Sequence, residues 1–521
     1  MAEHHHDKTK PFQIVGKRTP LLDARAKVTG EAVYTDDLKF PRMLVAKLLR
    51  SPRPHARIKA INLEKARVIP GVVAIVLGDE APNKFGVLPI SKDETALAVG
   101  KVKYVGDIVA GVAAETELQA LSACHAIEVE WEDLPSHQRM EKCLEPNGEP
   151  VHPDRSKDGS NLFKGVDQDF GDVDKAFEEA AWSARGTFEF PGINHGFTEP
   201  HAVIAKFDGG RLTIWTPQQV PHYLHRSLSE VLEMPMHLIN VIRPMVGGGF
   251  GGKSDPFPHE MVAALLARKT GRPVKLLFDR EEVFLTNHGR HPGRNTLGIA
   301  LDAEGRITAL DSKALIEGGA WASFGVVTTY YNGVLSLGPY AIPNFRYSGR
   351  RVYSNKPPHG AMRGHGSVNA RMALECLLDE LAEQSGIDPC DLRLRNCLEP
   401  NSFTVNDFRV TSMGFPECVR RVREASGWDS KYHKMPYGRG IGLGCGMYIS
   451  GSAKPIHRTR MPQSTVHLKI DMDGGVTIHS LAAEIGQGSD TMLAQCVAEV
   501  LGLPLEWMRV YSRTTDLAPI D

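Results

Sequence analysis

The feature that most constrains this chain is a seven-residue stretch with five glycines, residues 247–253 (GGGFGGK). It follows a mainly apolar run over residues 238–245 and precedes a helix-like pattern over residues 260–269. Glycine has no Cβ and adopts positive φ without a steric penalty, so backbone N–H groups can approach an anionic ligand closely. The stretch therefore predicts a turn that cradles a phosphate or a phosphorylated cofactor.

Residues 247–254 also satisfy the P-loop pattern G-x-x-x-x-G-K-[ST]. A P-loop needs its helix to begin at the Lys-Ser pair, yet residues 255–258 read Asp-Pro-Phe-Pro. Because proline keeps the residue before it out of the helical region, we reject a nucleotide-hydrolysing P-loop here. A glycine-rich turn that binds no ligand stays open as the plain alternative.

Length and composition exclude several classes of protein. The 521 residues suggest two to four domains, and a net charge of -1 without long runs of one sign argues against nucleic acid or an anionic membrane as a partner. No run of 18 apolar residues is present and the first ten residues are polar, so we expect a cytoplasmic protein. The eight cysteines show no CxxC spacing, which predicts free thiols and assigns any iron–sulfur centre to a partner.

The order of apolar runs and turn signals predicts an α+β protein in several parts. We expect one domain over residues 15–145, a Pro- and Gly-rich linker over 146–162, a second domain over 163–430 and a third over 431–521. The clearest helix is predicted at residues 367–384, and a hairpin at 465–478. The last region ends soon after a strand at 508–511, so we expect a partner chain or a further segment to complete it.

Two more glycine-rich turns resemble the first in composition. Residues 360–366 (GAMRGHG) place an arginine between glycines ahead of a helix, which suits a bidentate grip on oxygens or a structural ion pair. Residues 486–488 (GQG) precede a helix for which Ser489 is the expected N-cap, and this helix start is a second expected anion site. Three such turns favour an extended phosphorylated cofactor wrapped by several loops.

This combination resembles the molybdenum-cofactor subunit of the xanthine dehydrogenase and aldehyde oxidase family. Residues 27–34 (KVTGEAVY) and 106–109 (GDIV) are similar to that family's a/b hammerhead domain, and the resemblance runs from about residue 15 to residue 521. It implies a hammerhead domain followed by molybdopterin-binding domains, the last of them incomplete.

The resemblance also implies roles for single residues. Gln219 matches the glutamine that hydrogen-bonds an oxo ligand of the molybdenum, and Arg363 matches an arginine beside the metal centre. The remaining cofactor positions are the loop over the metal and its dithiolene, Gly248, Gly249, Phe250 and Gly251, and a pterin-phosphate loop, Gly486, Gln487 and Gly488. The family's catalytic glutamate lies downstream of this sequence, and Glu484 is expected to be structural.

The cofactor implied by the resemblance is molybdopterin, expected as the cytosine dinucleotide, with molybdenum held by the pterin dithiolene rather than by protein ligands. An iron–sulfur subunit carrying [2Fe-2S] and an FAD subunit are the expected partners. A chain or segment that completes the C-terminal domain would supply the missing glutamate.

Three departures from the purine-oxidising relatives bear on the substrate. Ser254 stands where those relatives have a glutamate, Tyr331 where they have a purine-binding arginine, and His365 where they have a stacking phenylalanine. A pocket without the two charged anchors would leave a purine unpaired, while Tyr331 and His365 can hydrogen-bond or stack on a phenolic ring. Each could equally be a satisfied core residue.

Residues 85–90 and 357–366 are similar to the 4-hydroxybenzoyl-CoA reductase branch of the family. The sequence therefore favours the reductive dehydroxylation of 4-hydroxybenzoyl-CoA or a related aromatic CoA ester. There are two alternatives. The first is hydroxylation of an aldehyde or an N-heterocycle, and the second is a non-catalytic chain, either a truncated or an assembly homologue.

Overall fold

The computed structural model describes residues 11–146, 148–449 and 464–520, so the polar N-terminal stretch lies outside the described residues. The described strands are, in chain order, β1 (Leu44–Arg50), β2 (Ala56–Asn62), β3 (Val72–Leu77), β4 (Lys101–Val102), β5 (Ile108–Ala114), β6 (Glu128–Asp133), β7 (Leu162–Phe170), β8 (Trp182–Phe190), β9 (Ala202–Asp208), β10 (Arg211–Trp215), β11 (Ile239–Ile242), β12 (Val274–Leu277), β13 (Gly293–Leu301), β14 (Ile307–Glu317), β15 (Asn344–Val352), β16 (Ser402–Phe403), β17 (Arg409–Val410), β18 (His467–Ile470), β19 (Val476–His479) and β20 (Met508–Tyr511). The described helices are α1 (Ala24–Thr29), α2 (Glu64–Arg67), α3 (Glu117–Ala126), α4 (Val173–Glu178), α5 (Pro221–Leu232), α6 (Pro258–Thr270), α7 (Arg280–Thr286), α8 (Gly325–Val334), α9 (Ser367–Ser385), α10 (Pro389–Arg395), α11 (Phe415–Ser426), α12 (Trp428–Lys431) and α13 (Ser489–Leu501).

These elements form two compact units, neither of which is a single stretch of chain. The first unit comprises Met1–Leu134, His195–Asn287 and Pro462–Asp521, and the second comprises Pro135–Asn194 and His288–Met461. Residues 195–287, which the sequence assigned to the domain over 163–430, supply four strands to the sheet of the first unit. The domain boundaries expected from the sequence, at residues 15–145, 163–430 and 431–521, stay a prediction.

The first unit is built on a seven-stranded sheet in the order β11-β10-β9-β12-β1-β5-β3. The pairs β10/β11 and β1/β12 are parallel and the others antiparallel, with Leu44 opposite Val274 in the central pair. Helix α6 packs on this sheet, and its residues 261–267 are all buried. The loop at 247–253 lies in the connection between β11 of this sheet and α6.

Two smaller sheets complete the first unit, in the orders β4-β2-β6 and β18-β19-β20. The antiparallel pairing of β18 with β19, Leu468 opposite Ile478, confirms the predicted hairpin. Helix α13 packs on β20, and the apolar cluster between them includes Ala494 and Met508.

The second unit contains a five-stranded sheet in the order β7-β15-β14-β13-β8. Helix α9 lies on β8 and β13, and it is followed by Gly386, whose φ of 69° places it in the left-handed region. The structure therefore confirms both the predicted helix and its stop signal, since glycine adopts this conformation without strain.

The mixture of antiparallel and mixed sheets with packed helices confirms the α+β class. None of the helices that the structure describes is long and apolar enough to cross a bilayer. The cytoplasmic location stays a prediction.

Candidate cofactor site

Gln219 lies between β10 and α5 and is locked onto the glycine-rich loop. The side-chain Oε1 of Gln219 accepts the N–H groups of Gly251 (2.9 Å) and Lys253 (3.2 Å). The main-chain N–H of Gln219 donates to the Lys253 carbonyl (2.7 Å). A Cβ at Gly249 would stand 2.3 Å from this Oε1, so only glycine admits the Gln219 side chain there. Among the residues described here nothing accepts a hydrogen bond from its Nε2. The side chain is therefore oriented with its amide N–H groups left to serve as donors.

Other side chains fill the space beneath the loop in the same way. A Cβ at Gly247 would lie 2.5 Å from the Cβ of Glu199, and one at Gly252 would lie 2.6 Å from Nδ1 of His195. The close approach of supporting side chains is therefore one physical reason for the glycines. The sequence contained no signal for Glu199 or His195, which stand about fifty residues earlier in the chain.

Lys253 is internal and ion-paired. Its Nζ lies 2.9 Å from Oε2 of Glu199 and 4.6 Å from the centre of the Phe197 ring. Only 1% of Lys253 is exposed, and this burial lowers its pKa even though Glu199 acts in the opposite direction. Helix α6 begins at Pro258 rather than at the Lys-Ser pair. The rejection of a P-loop is thereby confirmed.

The prediction that this loop presents a row of backbone N–H groups to an anion is wrong for most of its length. Four of the seven N–H groups, those of Gly247, Gly251, Gly252 and Lys253, donate to the side chains of Glu199 and Gln219 or to a carbonyl of the loop. The N–H of the next residue, Ser254, donates to the Gly251 carbonyl. The loop tip is formed by Gly248 (φ 93°) and by Phe250, whose φ of 53° is rare for a residue with a side chain. Phe250 is 40% exposed, so an aromatic ring rather than a nest of donors forms the outer surface.

Ser254 contributes to the framework of the loop. Its Oγ donates to the Gly251 carbonyl at 2.6 Å, and 7% of the residue is exposed. The hydroxyl hydrogen of Ser254 is therefore used in a hydrogen bond within this chain. A contact between Ser254 and the substrate stays a prediction.

A buried carboxyl group supports the segment that carries Gln219. Oε1 of Glu260 accepts the Thr216 hydroxyl (2.7 Å) and its Oε2 accepts the Phe257 N–H (2.9 Å). Burial raises the pKa of Glu260 to about 7, against the effect of these hydrogen bonds. A glutamate in the first turn of an apolar helix was the only sequence signal, and it did not distinguish this buried role from ordinary helix capping.

The turn at 486–488 is closed by a carboxylate of this chain. Oε1 of Glu484 accepts the N–H groups of Gly486 (2.7 Å) and Gly488 (3.1 Å), and its Oε2 accepts that of Asp490 (3.2 Å). The expected structural role of Glu484 is confirmed. The expected N-cap, Ser489, is wrong: α13 begins at Ser489 without a side-chain cap, because Glu484 takes that place.

The anion site predicted at this helix start therefore already has an anion, the Glu484 carboxylate. Gln487 also folds back on the turn, since its Oε1 accepts the Ile485 N–H (2.7 Å) and its Nε2 donates to the Ala483 carbonyl (2.7 Å). A contact between residues 486–488 and a pterin phosphate stays a prediction.

Three of the predicted site residues belong to the second unit. Arg363 has an exposed side chain, and its carbonyl accepts from Nη2 of Arg290 at 2.6 Å. Tyr331 is 1% exposed, and burial raises the pKa of its hydroxyl. Its ring meets that of His365 edge to face, with centroids 6.0 Å apart. The structure thus brings together Tyr331 and His365, which the sequence had singled out separately.

A hydrogen-bonded series behind His365 was not predicted. Nε2 of His365 lies 2.5 Å from the Thr328 hydroxyl, which lies 3.4 Å from Nδ1 of His291, and Nε of Arg351 donates to Nε2 of His291 (3.3 Å). Burial lowers the pKa of His291 well below its usual range, and Arg351 adds to the effect. A neutral His291 that accepts at Nε2 carries its hydrogen on Nδ1, facing Thr328.

The predicted residues therefore form two groups. Gln219, the loop at 248–251, Ser254 and the turn at 486–488 belong to the first unit, whereas Arg363, Tyr331 and His365 belong to the second.

Three family models match this chain. Models of a molybdopterin cofactor-binding domain match residues 151–397 and 421–521, and one described as the a/b hammerhead domain of aldehyde oxidase and xanthine dehydrogenase matches residues 29–135. Together they account for most of the chain.

The chain is also similar in sequence to large subunits of known molybdenum enzymes. The putative xanthine dehydrogenase molybdenum-binding subunit XdhA of Escherichia coli (strain K12) is 34% identical over 96% of this chain and 68% of its own length. The nicotinate dehydrogenase large molybdopterin subunit of Eubacterium barkeri is 34% identical over 80% of this chain and 97% of its own length.

Solved structures agree in fold. Quinoline 2-oxidoreductase from Pseudomonas putida 86 superposes with a TM-score of 0.89 at 28% identity, over 98% of this chain and 68% of that one. The aldehyde oxidoreductase of Desulfovibrio gigas gives a TM-score of 0.89 at 26% identity, over 96% of this chain and 56% of that one.

Proposed function

This chain belongs to the xanthine dehydrogenase and aldehyde oxidase family of molybdenum-dependent oxidoreductases, as a molybdopterin-binding large subunit, and on that premise we propose that it hydroxylates a nitrogen-containing aromatic ring. Nicotinate and quinoline, which name two of its relatives, are such rings. The sequence had favoured the reductive direction on an aromatic CoA ester, and the names of these relatives change the order of the two proposals.

The observation that carries the proposal is the locked Gln219. The residues around it fit a cofactor with oxygen or sulfur acceptors, because the amide oxygen is held by the loop while Nε2 stays a donor. Gly248, Gly249, Phe250 and Gly251 would lie against the cofactor, with the exposed Phe250 ring as the covering surface. When bound, the molybdenum cofactor would supply the redox chemistry that moves oxygen between water and an aromatic carbon.

The reaction that we propose replaces a ring hydrogen with a hydroxyl group whose oxygen comes from water. Two electrons and two protons leave the substrate and water in this exchange. We propose that the electrons pass to a [2Fe-2S] centre and to FAD on partner subunits, and that the pterin is the cytosine dinucleotide.

Tyr331 and His365 are the residues that we propose for substrate recognition. Tyr331 is buried and His365 is partly exposed, so in this edge-to-face pair the imidazole would meet a flat polar ring while Tyr331 packs behind it. The same pair could bind the phenolic oxygen of 4-hydroxybenzoyl-CoA. The reductive dehydroxylation of this CoA ester is therefore the second candidate function. Hydroxylation of an aldehyde is the third.

The test is a substrate panel with the complex of this chain and its co-purifying partners. Nicotinate, quinoline, xanthine and an aromatic aldehyde would be supplied with an electron acceptor, and 4-hydroxybenzoyl-CoA with a low-potential reductant. Turnover of a nitrogen heterocycle is expected. Turnover of 4-hydroxybenzoyl-CoA alone would overturn the proposal in favour of the reductive candidate, and a complex without molybdenum or pterin would overturn both.

Gln219→Ala tests the residue on which the proposal rests. Because the alanine cannot present an N–H group to the cofactor, we expect a loss of turnover of at least tenfold with molybdenum content reduced by less. Gln384→Ala is the matched control, since Gln384 is exposed on α9 and its side-chain amide donates to Glu380. Full activity in a metallated Gln219→Ala enzyme would show that the residue has no such role.

A further inference from the structure

A buried arginine of the first unit joins two of the glycine-rich loops. Arg243 follows β11 directly and stands four residues before Gly247. Its Nη1 donates to the Glu484 carbonyl (2.7 Å), and its Nη2 donates to the carbonyl (2.7 Å) and the hydroxyl (2.9 Å) of Ser512. One guanidinium thus reaches the turn at 484–488 and the end of β20 from the strand that leads into the loop at 247–253.

The neighbours of this guanidinium make the contact specific. Arg243 is 2% exposed, and its main-chain N–H donates to the Arg513 carbonyl at 2.8 Å, so both ends of the residue are held. The Ser512 hydroxyl that it reaches donates in turn to Asp490 (2.9 Å), in the first turn of α13. The planar fork of an arginine can serve two separate carbonyls at once, which the single ammonium of a lysine cannot do in the same geometry.

Glu484 connects the Arg243 guanidinium with the glycine-rich turn at 486–488. Its carbonyl accepts from Arg243, and its carboxylate accepts the N–H groups of Gly486, Gly488 and Asp490. A change in the position of the Glu484 backbone must therefore move the carboxylate that shapes the turn and caps α13.

We propose that Arg243 is a positioning residue that holds the turn at 484–490 in its Glu484-capped conformation and fixes it relative to the loop at 247–253. The consequence for the cofactor rests on the function proposed above, whereas the effect on the turn does not. Arg243 is accordingly not a catalytic residue, because the three hydrogen bonds that its guanidinium donates all go to this chain.

The experiment measures hydrogen–deuterium exchange of the peptide covering residues 484–491 in the purified complex, together with its molybdenum and pterin nucleotide content. Three variants are compared: Arg243→Met, Arg243→Lys and Arg211→Met. The last is the matched control, because Arg211 also pairs with the C-terminal segment, through Asp516 at 2.5 Å, but is 46% exposed at its side chain. Peptides from β9 and α6 report on the seven-stranded sheet of the first unit.

In Arg243→Met we expect exchange at 484–491 to be at least tenfold faster, with β9 and α6 unchanged and with less pterin retained. Arg243→Lys should give a smaller increase, and Arg211→Met should stay within twofold of the unchanged protein. Unchanged exchange at 484–491 in a folded Arg243→Met, or an equal increase in Arg211→Met, would overturn the inference.

Two further outcomes are informative. If Arg243→Met does not fold, Arg243→Lys decides, and unchanged exchange in that variant would overturn the inference. If exchange increases while molybdenum and pterin stay at the level of the unchanged protein, the positioning role stands and the proposed cofactor contact of this turn is wrong.

Discussion

The buried carboxyl group of Glu260 makes the stability of the first unit depend on pH in a way that can be measured. Burial raises its pKa from an ordinary value of 4.5 to about 7. In the unfolded chain the same group ionises near its ordinary value. Between these two pH values the folded state keeps a proton that the unfolded state has lost, so the free energy of unfolding falls as pH rises through this range.

The size of the effect follows from the difference between the two pKa values. At about 1.4 kcal/mol per pH unit, the loss of stability between pH 4.5 and pH 8 is about 3 kcal/mol for this one group. Solvent does not screen this effect, because Glu260 is 1% exposed. The stabilising form is the protonated one, which predominates below pH 4.5 in both states.

Glu260→Gln removes the ionisation and preserves the shape. A neutral amide can accept the Phe257 N–H with its oxygen, while its NH2 group donates to a reoriented Thr216 hydroxyl. Relative to the unchanged protein, the variant should therefore gain about 2–3 kcal/mol between pH 5 and pH 8. Equilibrium urea unfolding at pH 5, 6, 7 and 8, followed by a probe in the first unit, measures this difference.

Glu424→Gln serves as the control, since Glu424 is an exposed residue of α11. Its stability should follow that of the unchanged protein at every pH. Parallel curves for Glu260→Gln and the unchanged protein across pH 5–8 would refute the reasoning, because they would show that Glu260 ionises alike in the folded and unfolded states.

Two further predictions concern the loop at 247–253. In Gly249→Ala the new Cβ meets Gln219 at 2.3 Å, so we expect turnover and pterin content to fall together by at least tenfold, whereas Gly440→Ala, where the Cβ meets nothing within 4 Å, should leave both unchanged. Lys253→Met leaves a buried carboxylate at Glu199 without its counter-ion and should cost about 3–5 kcal/mol in urea unfolding. The double variant Lys253→Met/Glu199→Gln should recover part of that loss, and no recovery would show that the ion pair is not the cause.

Elements with a local signal could be predicted from the sequence. Helix α9 has apolar residues on one face and a glycine at its end, and both its bounds agree with the structure to within one residue. The hairpin of β18 and β19 follows from alternation on either side of a glycine-containing turn. In these cases the interactions that decide the conformation lie within a few residues of one another.

The glycine-rich turns could be located from the sequence, but their hydrogen bonds could not. Ser489 has the composition of an N-cap, yet the positive φ of Gly486 (107°) and Gly488 (89°) turns the N–H groups back toward Glu484, which therefore becomes the cap. Sequence rules weigh the residue next to the helix, whereas a flexible glycine turn allows a longer side chain from five residues earlier to compete for the same donors.

The same reasoning changes the meaning of the glycines at 247–253. The sequence attributed them to the approach of a ligand, but on one side they admit Gln219, Glu199 and His195, whose atoms would stand within 2.6 Å of a Cβ at positions 249, 247 and 252. A loop packed this closely from beneath has little freedom to adjust when a cofactor binds, so its outer surface, Phe250 and the Gln219 amide, is set before binding. Preorganisation of this kind reduces the entropy lost on association, so a loop that uses glycine for packing would still suit the cofactor proposed above.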